Sequence, residues 1–219
     1  MAFPLTHLLV ADLMLKRNPM PQPGLFLLGS IAPDAVHTRA CFQSAEMSGI
    51  GAAKKITHLC PISDERWGQV TDNKGWENCV RAFLRNHKDD CLCMGYATHV
   101  LTDIFNNSGL WHRFRTSYPL EAAKGYASDY YRDLRNIDAR LYHCVFKNSG
   151  IEATLAGSIA RDIPGLVAAD EIHAIRDVLL YQQYKNIGED VSEEYTYVTY
   201  DQVLAFINDA ADYCAGVLK

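Results

Sequence analysis

The sequence predicts an all-α fold, and three observations support this prediction. Apolar residues recur with the 3.6-residue period of helices over three long stretches, at about 120–147, 170–186 and 201–217. The stretch from about Asp89 to Asn106 is apolar nearly all round, which is typical of a central helix. The alternation of apolar and polar residues that is typical of a strand is weak everywhere except at 195–200. We therefore expect a single-domain multi-helix bundle.

The amino-terminal elements follow from local patterns. Between residue 6 and about residue 17, leucines would lie on nearly every side of a helix, which predicts a buried first helix. The proline-rich stretch 18–24 predicts a stiff loop after it. The apolar run 25–31 fits a strand or a helix equally well, and Pro33 ends it. Residues 35–75 have little periodicity and predict an irregular, functional loop with one or two short helices.

Composition limits the class of protein and its partners. The chain has 219 residues, 48% of them apolar, which is enough for one domain over residues 1–219. The 26 acidic residues outnumber the 21 basic ones, so nucleic acid is a poor partner. The start lacks a basic signal-peptide region, and the apolar stretches are shorter than a membrane span. We expect a cytoplasmic protein whose seven cysteines are reduced thiols.

Three of the eight histidines share a local context, in Thr6-His7-Leu8, Thr57-His58-Leu59 and Thr98-His99-Val100. His99 also begins the pattern His99-x-x-x-Asp103. Residues four apart on a helix share a face, with Cβ atoms about 5 to 6 Å apart, so the two side chains could bind one ion. The alternative is a core histidine that is hydrogen-bonded by the aspartate one turn later. The apolar surroundings favour a cation, because a buried carboxylate is costly unless it is paired.

Asp34 and His58 complete the candidate set. Asp34 follows an apolar run and a proline, so a rigid turn holds its carboxylate at the end of a buried segment. The alternative interpretation is that Asp34 caps the next helix. His58 lies in a predicted loop, where a single histidine is usually only a surface residue. These residues gain significance as a set rather than one by one.

Four motifs occur in a fixed order. They are Pro4-x-Thr6-His7-Leu8-x-x-Ala11, Gly29-Ser30-Ile31-Ala32-Pro33-Asp34, Lys55-Ile56-Thr57-His58 and Gly95-Tyr96-Ala97-x-His99-x-x-x-Asp103. This series resembles the zinc-dependent phospholipase C family, helical enzymes related to bacterial phospholipase C and to the single-strand nucleases of that fold. The resemblance covers about residues 4–115, and the helices predicted over 120–219 match no motif.

The resemblance implies a zinc site. Asp34, His58, His99 and Asp103 would bind one ion, and Asp103 would bridge to a second ion that His7 also binds. Two departures from the family pattern limit the number of ions. The family's amino-terminal tryptophan ligand has no counterpart in Met1-Ala2-Phe3-Pro4, and His143-x-x-x-Lys147 has a lysine where a third site needs a carboxylate, although His112 lies at a comparable place. We expect one or two ions of zinc or another divalent metal.

The expected function is hydrolysis of a phosphoester, most simply a phosphodiester, in a small molecule or a lipid. In this interpretation the metal lowers the pKa of a bound water to about 7, and Asp34 is the catalytic base. The alternative function is a non-catalytic helical module that a metal stabilises and that binds a partner. No nucleotide-binding glycine motif or nucleophilic serine motif competes with these two hypotheses.

Overall fold

The structure is a computed structural model, and it describes residues 3–39, 53–60, 68–185, 187–188 and 192–219. Helices account for 72% of the described residues, which contain no strand, so the predicted all-α fold is confirmed. The α-helices are α1 (Pro4–Arg17), α2 (Pro23–Gly29), α3 (53–57), α4 (Asn73–Arg85), α5 (Cys91–Ser108), α6 (Leu110–Ser117), α7 (Pro119–Ala123), α8 (Asp129–Cys144), α9 (Ile151–Ala156), α10 (Ala169–Val178) and α11 (Tyr200–Leu218).

Helix α5 is the centre of the fold, as its sequence predicts. Helices α1, α2, α4 and α11 pack against it, and most of its residues are buried. Asp90 begins the helix, because its carboxylate accepts hydrogen bonds from the backbone N–H groups of Leu92 and Cys93. An apolar helix of this kind gains its stability by burying side chains on every face.

Two glycines allow α2 to approach α5 closely. A methyl group on Gly95 would overlap the carbonyl oxygen of Phe26, and one on Gly29 would overlap the carbonyl oxygen of Leu92. Backbone therefore packs against backbone at this crossing, which only glycine permits. The contact places the end of α2, and the 3-10 helix Ala32–Thr38 that follows it, directly beside α5.

The amino-terminal half differs from the sequence prediction in detail. The ambiguous run 25–31 belongs mostly to helix α2, and Asp34 lies in the first turn of the 3-10 helix Ala32–Thr38. Helix α4 lies partly inside the stretch predicted to be irregular, and Trp76 and Val80 form its buried face. The four-residue spacing of Trp76 and Val80 is typical of a helix and could have predicted α4 from the sequence. The rest of the predicted functional loop, at 40–52 and 61–67, lies outside the described residues.

In the carboxyl-terminal half, the first predicted helix is divided and the others are present. The stretch 120–147 divides into α7 and α8, because Gly125 adopts a positive φ of 57° between them. A π-helical turn, Leu179–Gln183, follows α10. The predicted last helix is present as α11.

Residues 195–199 form irregular structure rather than a strand, and Tyr200 begins α11. The buried Asp133 carboxylate of α8 accepts hydrogen bonds from the backbone N–H groups of Thr196, Tyr197 and Val198, at 2.9, 2.7 and 3.3 Å. These contacts satisfy the donors that a neighbouring strand would otherwise need to satisfy.

Two further sequence expectations concern cysteines and membranes. The described cysteines are free, as expected for reduced thiols. Within the described ranges, every helix is too short or too polar to cross a membrane.

Candidate metal centre

Five side chains from four segments meet beside α5. His7 comes from α1, Asp34 from the 3-10 helix, His58 from the turn after α3, and His99 and Asp103 from α5. Potential ligand atoms lie within 4.8 Å of one another in two sets, His7 with His99 and Asp103, and Asp34 with His58 and His99. The structure therefore brings together all five residues that the sequence singles out.

Backbone carbonyl groups determine which nitrogen of two histidines carries the proton. His99 Nδ1 lies 2.8 Å from the carbonyl oxygen of Ser30, and His58 Nδ1 lies 3.0 Å from that of Lys54. A carbonyl oxygen only accepts hydrogen bonds, so each Nδ1 is the donor. Burial lowers the pKa of His58 to about 4, so this ring is neutral at pH 7. A neutral ring that donates through Nδ1 presents a lone pair on Nε2.

The Nε2 atoms of the two histidines face each other and two carboxylates. The Nε2 atoms of His58 and His99 are 3.3 Å apart. Asp34 lies 3.4 Å from His58 Nε2 through Oδ1 and 4.0 Å from His99 Nε2 through Oδ2, and Asp103 Oδ2 lies 3.7 and 4.0 Å from the same two nitrogens. Ligands about 2.0 to 2.2 Å from one tetrahedral ion lie about 3.3 to 3.6 Å apart. The donor set fits one divalent ion, which would relieve the repulsion between these groups.

His7 adds a second set of donors on the other side of Asp103. Its ring stacks on that of His99, with centroids 3.6 Å apart, and its Nε2 lies 3.7 Å from Asp103 Oδ1. The side chain is 1% exposed, yet within the described part of the chain neither ring nitrogen has a hydrogen-bond partner. Burial holds the pKa of His7 well below its usual value, and the neighbouring His99 lowers it further. A neutral imidazole with unsatisfied nitrogens is a suitable ligand for a cation.

A buried lysine lies against Asp34, and the sequence analysis did not identify it. Lys54 Nζ is 3.0 Å from Asp34 Oδ1. Burial alone would raise the pKa of Asp34, but the Lys54 ammonium holds it well below its usual value. Asp34 is therefore ionised at neutral pH, and it is engaged by this ion pair rather than by a helix cap. Lys54 and His58 are four residues apart, about one helical turn, and this spacing could have indicated from the sequence that the lysine lies near the site.

Neighbouring side chains hold the turn that carries His58. Trp76 Nε1 donates a 2.7 Å hydrogen bond to the carbonyl oxygen of His58, and the Tyr96 hydroxyl donates to that of Thr57. Leu59 adopts a positive φ of 50°, which is unfavourable for a branched residue. The packing of this turn on α4 and α5 therefore fixes a strained backbone beside the candidate ligand.

A cavity of about 110 Å³ opens beside the cluster. His7, Asp34 and His99 line one side of it, and the apolar side chains of Ile175 and Leu179 line another. The carboxyl-terminal helices thus complete a pocket whose polar side is the predicted site.

The third metal site of the family that the motifs resemble has no counterpart in the described residues. His112 is exposed on α6, and no potential ligand set there includes it. A separate set, His87 with Asp90 and Cys93, has close donor atoms but unsuitable chemistry. Asp90 already caps α5 and pairs with Arg161, while burial together with Asp90 raises the pKa of the Cys93 thiol to about 12. Metals bind the thiolate, so this set is a poor candidate.

No protein-family model, curated protein or solved structure matches the chain.

Proposed function

We propose that this protein is a divalent-metal-dependent hydrolase of phosphoester bonds, similar to the zinc-dependent phospholipase C family that its motifs resemble. The observation that carries the proposal is the pair of imidazole Nε2 atoms, 3.3 Å apart, with two carboxylates at 3.4 to 4.0 Å. Such a set of nitrogen and oxygen donors suits zinc, and a site that also opens to a cavity suits catalysis.

The ligand assignment follows from the number of lone pairs. His99 has committed Nδ1 to Ser30, so its one remaining nitrogen can serve only one ion. We assign His99, His58, Asp34 and Asp103 Oδ2 to the first ion, and His7 with Asp103 Oδ1 to the second. The first set has four protein donors, whereas the second has two and leaves positions for water or substrate.

Bound divalent ions would acidify a water molecule and stabilise negative charge on the phosphoryl group. Asp34 lines the cavity, and we propose that its carboxylate orients the attacking water and accepts its proton. The Lys54 ammonium keeps this carboxylate ionised and fixes one of its oxygens. Ile175 and Leu179 would exclude bulk water and contact the apolar part of a small-molecule or lipid phosphoester.

The test combines metal analysis with an activity assay. Purified protein should contain one or two equivalents of zinc or a similar ion by elemental analysis. It should hydrolyse bis-(p-nitrophenyl) phosphate, and a chelator should abolish that hydrolysis until metal is restored. Protein that binds metal but hydrolyses no monoester, diester or phospholipid would contradict the catalytic proposal.

A second candidate function is a metal-stabilised binding module, and the four-donor set favours it, because structural zinc sites are closed in this way. The first ion would join α5 to two segments that are distant in sequence, at Asp34 and His58. In that case chelation lowers the melting temperature while no phosphoester is cleaved.

A further inference from the structure

Lys54 contacts the metal centre at both ends of the residue. Its carbonyl oxygen accepts the hydrogen bond from His58 Nδ1, which orients that ring. Its ammonium donates to Asp34 Oδ1 at 3.0 Å and lies 3.1 Å from His37 Nε2. The Lys54 side chain is 5% exposed and that of Asp34 is 15% exposed. The packing therefore fixes this ammonium beside a candidate ligand, unlike a mobile surface lysine.

This ammonium changes the charge of the site. The two carboxylates, Asp34 and Asp103, and the one ammonium give these three side chains a formal charge of −1. One bound divalent ion would bring that charge to +1, whereas the same site without the lysine would be neutral. A divalent ion held by Asp34 would also lie close to the ammonium, and the two cations would repel each other in this buried environment.

We propose that Lys54 sets the charge of this site, weakening the binding of the first ion at Asp34 and adding one positive charge to the loaded site, which strengthens its attraction for an anionic phosphate. The inference rests on the proposed function and adds a residue that determines metal affinity and the charge class of the substrate. A site with a positive charge favours phosphate groups over neutral esters.

Both physical effects of removing the ammonium act in the same direction on zinc. Without Lys54, the repulsion between the ammonium and the ion disappears. In the ion-free protein, the buried Asp34 carboxylate also loses its partner, which destabilises that form. Zinc binding should therefore become tighter, and the rise in melting temperature on adding zinc should become larger.

The test compares Lys54→Met, which removes the charge, with two controls. Lys54→Arg keeps the charge, and Lys16→Met breaks an ion pair with Asp12 on the surface of α1, where Lys16 is 61% exposed. Zinc dissociation constants are measured by competition with a chromophoric chelator. We expect Lys54→Met to bind zinc about tenfold more tightly than wild type, with both controls within about threefold. Lys54→Gln, which keeps a hydrogen-bond donor, serves the same purpose if the Met variant does not fold.

A second measurement uses inorganic phosphate with the zinc-loaded proteins in a calorimeter. Phosphate should bind about tenfold more weakly to Lys54→Met than to wild type or to the two controls. Unchanged or weaker zinc binding by the neutral variants would overturn the inference, as would unchanged phosphate binding. Equal losses of melting temperature with and without zinc would show a merely structural lysine. If wild type itself binds no divalent metal, the proposed function fails and this inference fails with it.

Discussion

His99 shows how two contacts define the chemistry of one side chain. Its Nδ1 donates to the Ser30 carbonyl group, so Nε2 is the nitrogen that faces His58 and the two carboxylates. A core histidine satisfied by Asp103 would instead place a protonated nitrogen against the carboxylate, but the Nε2–Asp103 distance is 4.0 Å. The hydrogen-bonding pattern therefore favours the ligand interpretation over the core interpretation.

The role of His7 predicts a change in metal stoichiometry. His7→Ala removes a nitrogen donor from the second set and leaves the first set intact. We expect wild type to bind two equivalents of zinc and the variant to bind one, measured by elemental analysis after dialysis. His112→Ala, at an exposed position on α6, should keep both equivalents. Unchanged stoichiometry in His7→Ala, with a native circular dichroism spectrum, would refute the assignment.

The role of Asp34 predicts a loss of activity. Asp34→Asn keeps an oxygen donor and nearly the same volume but removes the negative charge that orients water. Phosphodiester turnover should fall by about 10² or more while the helical content persists. Asp12→Asn, which removes the carboxylate that pairs with Lys16 on the surface, is the matched control. Turnover within about threefold of wild type in Asp34→Asn would show that the carboxylate is structural.

At the scale of elements, the crossing of α2 and α5 positions the site. The end of α2 supplies the Ser30 carbonyl group that orients His99, and the following 3-10 helix supplies Asp34. Both depend on the close approach that Gly29 and Gly95 allow. The two glycines, which begin two of the four sequence motifs, therefore serve to pack α2 against α5.

This crossing predicts a large effect for a single methyl group. Gly95→Ala would place Cβ against the carbonyl oxygen of Phe26, so the helices must separate. We expect a loss of about 2 to 3 kcal/mol in the free energy of unfolding and weaker zinc binding, measured by urea titration and chelator competition. In α11, nothing lies within 4 Å of a Cβ on Gly216, so Gly216→Ala should be neutral or stabilising by about 0.5 to 1 kcal/mol. Equal effects of the two substitutions would contradict this account.

At the scale of the whole molecule, buried neutral histidines make stability depend on pH. The pKa of His58 is lowered by burial to about 4, and burial also holds that of His7 well below its usual value. Between the unfolded value, about 6.5, and the folded value, the unfolded chain binds a proton that the folded chain does not. Protonation of these two histidines through this window therefore favours unfolding, whereas Asp138, whose pKa burial raises to about 7, takes up a proton in the folded chain and opposes that effect.

The corresponding measurement is urea unfolding of the metal-free protein at several pH values. His58 alone should lower the free energy of unfolding by about 2 kcal/mol between about pH 7 and pH 5, and His7 should add to this loss. Zinc should be released over the same window because protons compete for its ligands. A variant in which His58 is replaced by Gln should lose less stability than wild type on acidification, whereas His112→Ala should match wild type. Equal losses in wild type and the His58 variant would contradict the buried neutral state.

The sequence by itself determined the helical class, the central position of α5 and the shared face of His99 and Asp103. These depend on short-range periodicity, since a 3.6-residue repeat defines a helix and places His99 and Asp103 on one face. His7, Asp34 and His58 could be added only as members of an ordered set of motifs. The fold confirms that they meet, although their sequence positions contain no distance information.

Only the tertiary structure decided what surrounds those residues. The Lys54 ammonium at Asp34, the Ser30 carbonyl group at His99 and the cavity wall of Ile175 and Leu179 all join segments that are remote in the chain. Residues 195–199 are another example, because a buried carboxylate from α8 accepts hydrogen bonds from three of their backbone N–H groups and removes the need for a strand partner. Local propensity does not encode such contacts, since they depend on how whole helices pack around α5.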